Sequence, residues 1–517
     1  MDSETSDTPL SSRIASLVHA HFDALPARSK PSTFPDGSRE WIPMTGIVAV
    51  KGEGTPLESL TCIAVTGAKC LSASHIPRCN GLVLHDCHAE ILAIRAFNYW
   101  LLTECSSLLS QEKQSTPDSP WSQARQSSNS SFIQRRTTGD REDSPQAKPE
   151  WPPFEIQPDI NLYMYCTCAP CGDGSMELCM AAQEDATPWE IPQQSSSTSQ
   201  ESDEIPSEET FLDGRAHFSL LGIVRRKPSR TDAESTRSKS CSDKLALRQV
   251  SSLLSCETSR LVAPTKNAYI AGLVLPEEEI SQVACERSFG ENGRMKALAG
   301  RSWPSTINDE TEPSYRFRPF QILPVPTEKV SALWGFAKPK PIPCPVVSAE
   351  NEKTPKSQPP RKSKPGNASA VWTLAPSYYA PSATMEIGSK AVPTLRRSKT
   401  GLYETIINGV KQGNRASAPG AQGASALSRA KLWALFHNIT SEPTSGSTCD
   451  DSEVASEETP KASTYQEFKT ASSGEDPSGI RMQARLDAQR VLKGWMPNSG
   501  DEAWSLDVLV DTKKRKR

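Results

Sequence analysis

The sequence predicts an α/β fold, an α/β sandwich around one mixed sheet. Three observations predict it. Short apolar, β-branched runs alternate along the chain with helical stretches. Polar stretches rich in Ser, Pro and charge separate these runs and hold much of the acidic character, so the folded part is expected to be more basic than the whole. No internal repeat is visible.

Ile14 to Phe22 has helical spacing and reads as a short amphipathic helix. Trp41 to Val50 reads as a strand, Gly52-Glu53-Gly54 as its turn, and Leu60 to Gly67 as the return strand of a hairpin. Gly81 to Leu84 reads as a third short strand. It leads to Asp86, a good N-cap for a helix from about Cys87 to Leu102. Ile91, Leu92, Ile94, Phe97, Tyr99, Trp100 and Leu101 make that helix apolar nearly all round, which predicts a central, buried element. Ile160 to Tyr165 is a strand, Ser175 to Ala182 a helix and Phe218 to Val224 a strand. Ser240 to Arg248 is a loop entering a helix that continues to Leu254, and Ala268 to Leu275 is a strand. Gly401 to Ile407 and Lys431 to Phe436 read as helices, and a last helix runs from about Arg481 to Lys493. The ordered parts span about 10–105, 158–190, 211–337, 368–440 and 462–510 of a single domain over 1–517. Residues 106–157, 191–210, 338–367 and 441–461 are expected to be disordered inserts, and 511–517 a basic tail.

Only 36% of the 517 residues are hydrophobic, 42 are proline, and the mean hydropathy is −0.51. That is little apolar material for the two or three domains the length alone suggests. The net charge is −3, so a nucleic-acid partner needs a local basic patch rather than a whole-chain field. No run approaches the roughly twenty apolar residues of a membrane-spanning helix, and the first residues show no signal-peptide core. A location in the nucleus and/or cytoplasm follows, where the 14 cysteines stay reduced and serve as metal ligands or core residues. Lys513 to Arg517 reads equally as an import signal, a nucleic-acid arm or a solvated terminus. No membrane association and no obligate protein partner is expected.

Chemistry concentrates at Asp86-Cys87-His88-Ala89-Glu90 and at Ala169-Pro170-Cys171-Gly172-Asp173. His88 and Cys171 offer an imidazole and a thiolate, and Glu90 a carboxylate able to move a proton. All three fall at or near predicted helix starts, where the positive dipole end stabilises a thiolate or a hydroxide. Zinc that hydrolyses needs three protein ligands and an open position. Spacing leaves the third ligand open among Cys166, Cys168, Cys179 and Cys241, because Gly174 stands where a compact Cys-x-x-Cys pair puts its second thiol. A helix start favours Cys241 over Cys179, which lies inside a helix. A lone His-x-Glu is a common chance pattern, and Cys166 to Cys171 also fits a structural knuckle, although no second pair follows to close it. Cys62, Cys87, Cys105, Cys256 and Cys285 suit core positions. The basic run Arg225, Arg226, Lys227 and Arg230 reads first as a solvated loop, and next to a zinc site as a phosphate-contacting one.

With Ser240-Cys241-Ser242-Asp243-Lys244 added, the three motifs and their order resemble the RNA adenosine deaminase (A-to-I editase) family, and within it the eukaryotic branch that acts on tRNA. Weaker echoes are Trp41 to Val48, Lys227 to Arg230 and Gly494-Trp495, so the resemblance spans most of the ordered chain. It implies a three-layer deaminase-like sandwich with a central mixed sheet flanked by helices. It implies one Zn2+ per chain held by His88, Cys171 and Cys241, with Glu90 as catalytic proton shuttle. The implied reaction is attack of zinc-bound hydroxide on C6 of adenine, releasing ammonia and leaving inosine, with position 37 of alanine tRNA as the target. About forty residues precede Trp41, too few for the separate RNA-binding domains of the double-stranded-RNA editing members, which favours tRNA. Arg225, Arg226, Lys227 and Arg230 then become RNA-binding candidates. The resemblance also implies a buried structural inositol hexakisphosphate, which demands a ring of cations. Arg95 and Lys244 match its ligands by position, followed by Arg429, Lys469, Arg485 and Trp495. Two positions depart from the editing members: Ile94 replaces one of a pair of arginines, and Leu247 stands for an arginine, with Arg248 next door. The rival readings are a zinc-containing RNA-binding protein without turnover and an mRNA adenosine deaminase. A cytidine or free-nucleoside deaminase is disfavoured by the dispersed cysteines.

Overall fold

Alternation in the first hairpin sets the architecture. Met44–Lys51 (β1) pairs antiparallel with Ser59–Gly67 (β2) around a turn containing Gly52 and Gly54. Ile47 and Ala49 point to one face of the sheet, and Met44, Val48 and Val50 to the other. The computed structural model describes residues 8–36, 38–67, 70–114, 130–136, 151–182, 212–214, 220–227, 234–307, 312–339, 364–376, 401–441, 462–470 and 476–510. Among them, β1 and β2 join Ile160–Cys166 (β3), Ile270–Pro276 (β4), Gln321–Val325 (β5), Ala368–Thr373 (β6), Tyr403–Ile407 (β7) and Val410–Lys411 (β8) in one mixed sheet. The strand order is β5-β4-β3-β1-β2-β6-β7-β8; β3, β4 and β5 run parallel and the other neighbours antiparallel.

The helices are α1 (Leu10–Asp23), α2 (Ala89–Gln114), α3 (Met176–Ala181), α4 (Cys241–Ser251), α5 (Gln282–Phe289), α6 (Thr327–Leu333), α7 (Arg429–Ser441), α8 (Tyr465–Thr470) and α9 (Pro477–Val491). On one face of the sheet, α1 sets Ile14, Val18 and Phe22 against Met44, Val48, Tyr165 and Val274. Gly46 permits this close approach, since a Cβ there would stand 2.6 Å from a Val18 methyl. On the other face, α2 sets Ala93, Ile94, Phe97 and Leu101 against Ile47, Ile63, Leu162 and Met164. Leu92 and Ala96, on its far side, meet Val371 and Ile406. The helix is therefore buried on several sides, and each large apolar side chain such as Phe97 contributes about 1.5–3 kcal/mol by leaving water. α4 packs on α9 through Ala246, Leu247 and Val250 against Ile480, Ala484 and Ala488. α7 and α8 meet in an aromatic cluster of Trp433, Tyr465, Phe468 and Trp504. No helix among the described residues is long and apolar enough to cross a membrane.

Several expected boundaries move. α2 starts at Ala89 rather than Cys87 and continues to Gln114, because Leu108 and Leu109 keep its apolar side on the core. Within the expected insert 106–157, Ile133–Arg135 pairs with Phe154–Ile156, and Ile133, Phe154 and Ile156 are buried; three-residue strands are too short for alternation to register. Gly401 to Ile407, expected as a helix, supplies β7. Asn408 and Gly409, both at positive φ, close a two-residue hairpin from it to β8. Gly81 to Leu84 forms no ladder; the Leu84 N–H instead donates to the Gly409 carbonyl at 2.9 Å. In place of the strand expected over 218–224, Arg225–Arg226 pairs with Leu212–Asp213. Lys364–Pro365, at the end of the expected insert 338–367, pairs with Glu40–Trp41, and Ser441 belongs to α7. The expected insert 191–210, most of 338–367 and 441–461, and the tail 511–517 lie outside the described residues. So do 377–400 within the stretch expected to be ordered.

Candidate active site

β3 ends at Cys166 and hands the chain to Pro170 and Cys171, just before a short turn of helix, Asp173–Ser175, that leads into α3. Cys241 opens α4. Its cap is Ser240, whose hydroxyl accepts the Asp243 N–H and donates to Asp243 Oδ2 at 2.6 Å. The two loops are stitched together. The Ser242 N–H donates to the Cys171 carbonyl (3.0 Å), while Ser242 Oγ donates to the Pro170 carbonyl (3.0 Å) and accepts the Gly174 N–H (3.0 Å). Gly172, at φ +104°, makes this contact possible, because a Cβ there would lie 2.1 Å from Ser240 Oγ. His88, immediately before α2, turns Nδ1 towards both sulfurs, 3.7 Å from Cys171 Sγ and 3.5 Å from Cys241 Sγ. Glu90 is buried in the first turn of α2.

The three ligand atoms of His88, Cys171 and Cys241 lie within 4.8 Å of one another. Nitrogen and sulfur ligands about 2.0–2.3 Å from one zinc stand about 3.6–3.8 Å apart at tetrahedral angles, so this donor set fits the metal in type and spacing. Among the described residues, Cys166, Cys168 and Cys179 enter no such grouping. Two other groupings suit a cation less well. Cys70 and Asp86 lie near His88, but Asp86 is already ion-paired with Lys227 and Lys244. Cys79, His85 and Asp501 meet beside Arg429, whose guanidinium contacts His85 Nδ1 (3.1 Å) and Asp501 (3.5 Å) and repels a second cation.

Charge around the site is tightly paired. Asp86, expected only as a helix cap, takes the His88 N–H (3.0 Å), the Ser238 hydroxyl (2.6 Å) and the ammonium groups of Lys227 (2.9 Å) and Lys244. Burial raises its pKa, yet Lys227 and Lys244 together hold it well below the usual carboxylate range. Burial works against charge on Lys227, but Asp86 and Cys241 outweigh it and hold the ammonium well above the ordinary lysine value. Its Nζ stands 3.2 Å from Cys241 Sγ. The hydrogen bond with Cys241 draws Cys171 well below a normal thiol pKa, with Lys227 and His88 adding to the effect. Burial and Cys171 push Cys241 the other way. The pair thus takes up one negative charge readily, and the N–H of Cys241, at the positive end of α4, donates to Cys171 Sγ at 3.3 Å. Burial, then the Cys171 thiolate, raises the pKa of Glu90.

Behind the site lies a basic interior. Arg248 is held well below the usual arginine value by burial and by Arg485, Arg481 and Arg95. Burial and Arg481 bring Arg485 down to about 9. Arg429 acts on both Arg95 and Lys469. Many of the partners are backbone carbonyls: Leu427 for Arg95, Leu254 for Arg248 and Arg481. Arg481 Nε is buried with no hydrogen-bond partner. One buried carboxylate, Glu257, acts on both Arg95 and Arg248, and a predominantly cationic, partly buried cluster with an orphaned donor fits a polyanion. Arg95, Arg429, Lys469 and Arg485 were legible as candidates; Arg248 and Arg481 were not singled out, although Arg481 and Arg485 sit one turn apart on α9. Lys244 is committed to Asp86 and Ser238, and Trp495 lies beneath the Lys239 ammonium, 5.5 Å from its ring centre.

The expected RNA-binding run divides. Arg225 is 1% exposed and its guanidinium donates to the carbonyls of Gly214 and Leu220; Lys227, 4% exposed, serves the Asp86–Cys241 shell. Neither is available to RNA, because both side chains are buried and held by these partners. Arg226 lines an open groove, and Arg230 lies outside the described residues.

A family model described as the adenosine-deaminase (editase) domain matches residues 64–391, well over half the chain. The chain belongs to that family. Among curated relatives, this editase-domain chain is similar to tRNA-specific adenosine deaminase 1 of Schizosaccharomyces pombe, 34% identical over 311 residues, 60% of this chain and 66% of that one. It is 32% identical over 289 residues to tRNA-specific adenosine deaminase 1 of Saccharomyces cerevisiae, 55% of this chain and 63% of that one. The double-stranded RNA-specific editase B2 of Rattus norvegicus is 31% identical over 133 residues, 26% of this chain and 14% of that one. The matches thus span somewhat less than two thirds of the two yeast relatives. All four residues His88, Glu90, Cys171 and Cys241 fall inside the family match, whereas Arg429, Lys469, Arg481 and Arg485 lie beyond it.

Proposed function

We propose that this chain hydrolyses adenosine to inosine in tRNA, with adenosine 37 of alanine tRNA as its target. The observation that carries the proposal is the meeting of His88, Cys171 and Cys241 beside Glu90 in a chain of the editase family. Its similarity to two relatives named tRNA-specific supports tRNA over other RNAs. Helices on both faces of the mixed sheet support a three-layer, deaminase-like arrangement. We further propose that the chain works in the nucleus or cytoplasm, on the composition of its sequence.

His88, Cys171 and Cys241 would hold one zinc. When bound there, zinc supplies a Lewis acid that lowers the pKa of a coordinated water to about 7. Lys227 lies 3.2 Å from Cys241 Sγ, where its ammonium favours negative charge on the Cys171–Cys241 pair, and Asp86 fixes Lys227. Glu90, its pKa raised by burial and by Cys171, suits a group that both accepts and returns a proton. It takes the proton released as water attacks C6 of adenine and delivers it to the departing amine, so that adenosine and water become inosine and ammonia. The target base must leave its stack to reach this depth, which costs least in a loop. Arg95, Arg248, Arg429, Lys469, Arg481 and Arg485 would hold inositol hexakisphosphate as a structural anion.

Incubating the purified protein with alanine tRNA and sequencing for A-to-I change tests the proposal. Wild-type protein is expected to convert position 37, and Glu90→Ala to lose about 10²–10⁴ in rate while keeping one zinc per chain. Undiminished conversion by Glu90→Ala would overturn the proton role, and a wild type inert on tRNA would overturn the substrate.

A further inference from the structure

We infer that α5 and the turn after it form an arginine clamp that sets the spacing of Cys171 and Cys241, with Arg287 and Arg294 as positioning residues. The inference rests on the zinc reading proposed above. Each thiol is followed two positions later by an aspartate, in Cys171-Gly172-Asp173 and Cys241-Ser242-Asp243. Both aspartates are completely buried. A carboxylate at that depth has to be paired, and each is paired with an arginine from the same short segment.

The two arms differ. Arg287, on α5, sets Nε 3.1 Å from both Asp173 carboxylate oxygens, and its Nη2 donates to the Asp173 carbonyl at 2.9 Å. The rest of its guanidinium pairs with Glu177 of α3. Ser288, the next residue, donates its hydroxyl to Asp173 Oδ2 at 2.8 Å. Arg294, in the turn after α5, reaches Asp243 Oδ1 through Nη1 at 2.6 Å. The other oxygen of Asp243 takes the Ser240 hydroxyl (2.6 Å) and the Arg225 N–H (2.9 Å). The Arg225 guanidinium also acts on both carboxylates.

One turn of backbone joins the arms, because the Arg294 N–H donates to the Arg287 carbonyl at 2.8 Å. Gln249 of α4 donates to the Phe289 carbonyl (2.7 Å), and Glu279, just before α5, accepts the Ala169 N–H (2.9 Å). The segment 279–294 therefore holds the Cys171 loop on both sides of its thiol, together with the helix that Cys241 opens. The two thiols are 70 positions apart in the chain. Zinc tolerates errors of only about 0.2 Å in its ligand distances. Ser242 links the loops directly, and the clamp gives them a second reference on a separate element.

Full-length wild type, Arg287→Met, Arg294→Met, Arg287→Lys, Arg294→Lys and the double Met variant are loaded with zinc, and its release to excess chromophoric chelator is timed. Melting temperature and conversion of alanine tRNA are measured on each. Arg301→Met, at a residue whose partners are Asp487 and Trp303, controls for a general loss of stability. Each single Met variant is expected to release zinc about 10–100-fold faster, and Arg301→Met at the wild-type rate. Arg294→Lys is expected to restore slow release, since one ammonium replaces one Nη1 contact. Arg287→Lys is not, since a point charge cannot serve Asp173 and Glu177 together. The double variant is expected to be little faster than the worse single one, because a clamp opens once either arm is lost. Should the Met variants fail to fold, Ser288→Ala removes one donor to Asp173 and is expected to release zinc several-fold faster. Wild-type release rates in the single variants overturn the proposal, as does equal acceleration by Arg301→Met. Wild type that takes up no zinc overturns it together with the metal centre. Wild type with clamp-dependent release that makes no inosine removes the deaminase reading alone. Wild type that makes inosine while the Met variants hold zinc as it does removes the clamp alone.

Discussion

A single missing methyl group keeps the two cysteine loops together. Gly172 sits at φ +104° against Ser240, so Gly172→Ala meets both a strained backbone, costing about 1–3 kcal/mol, and a collision at the cap of α4. The expected outcome is a lower melting temperature and less than one zinc per chain, read by thermal denaturation and metal analysis. A variant with full zinc and an unchanged melt would show that the loops tolerate separation. At this scale, residue type made His88, Glu90 and Cys171 legible in the sequence. Cys241 was not decidable by spacing, because 70 positions separate it from Cys171 and the contact forms only when α4 docks. Lys227 was misread for a physical reason: a basic run looks solvated until a carboxylate such as Asp86 is brought to it through the fold.

Among the elements, α1 carries an acid-sensitive pair. His19 Nε2 lies 2.8 Å from the Tyr165 hydroxyl, and the His21 ring packs tilted against Trp372, 4.5 Å between ring centres. Burial lowers both imidazoles from 6.5 to about 4. Below pH 6.5 the unfolded chain therefore binds more protons at these sites than the folded one. Their stabilisation is present above pH 6.5 and is lost as pH falls towards 4, by up to about 3 kcal/mol each. Urea denaturation at pH 7 and pH 5 should show a loss in the wild type that is much smaller in His19→Phe/His21→Phe; an equal loss in both would place the acid sensitivity elsewhere. The β1–β2 hairpin and the buried helix α2 were readable because their periods extend over enough residues. β7 was not read as a strand because the Asn408-Gly409 turn signal was passed over. The pairing of Ile133–Arg135 with Phe154–Ile156 left too little pattern to see, since its stability comes from the core it covers.

Across the whole molecule, Arg95, Arg248, Arg429, Arg481 and Arg485 gather as buried or partly buried cations with the exposed Lys469 at their edge, and a bound polyanion would offset their repulsion. Added inositol hexakisphosphate is expected to stabilise anion-stripped protein by about 2.7 kcal/mol at a hundredfold excess over Kd, and Arg248→Met to reduce that gain. A melting temperature indifferent to the anion in both proteins would argue that the cluster is neutralised in another way. Composition hinted at a folded part more basic than the chain, but could not show that the charges gather in one cluster. Four of these six cations come from the stretch that begins with α7, the same stretch whose α9 packs against the helix opened by Cys241. A premature stop codon just before Arg429 would spare every residue assigned to chemistry and still be expected to behave as a null allele.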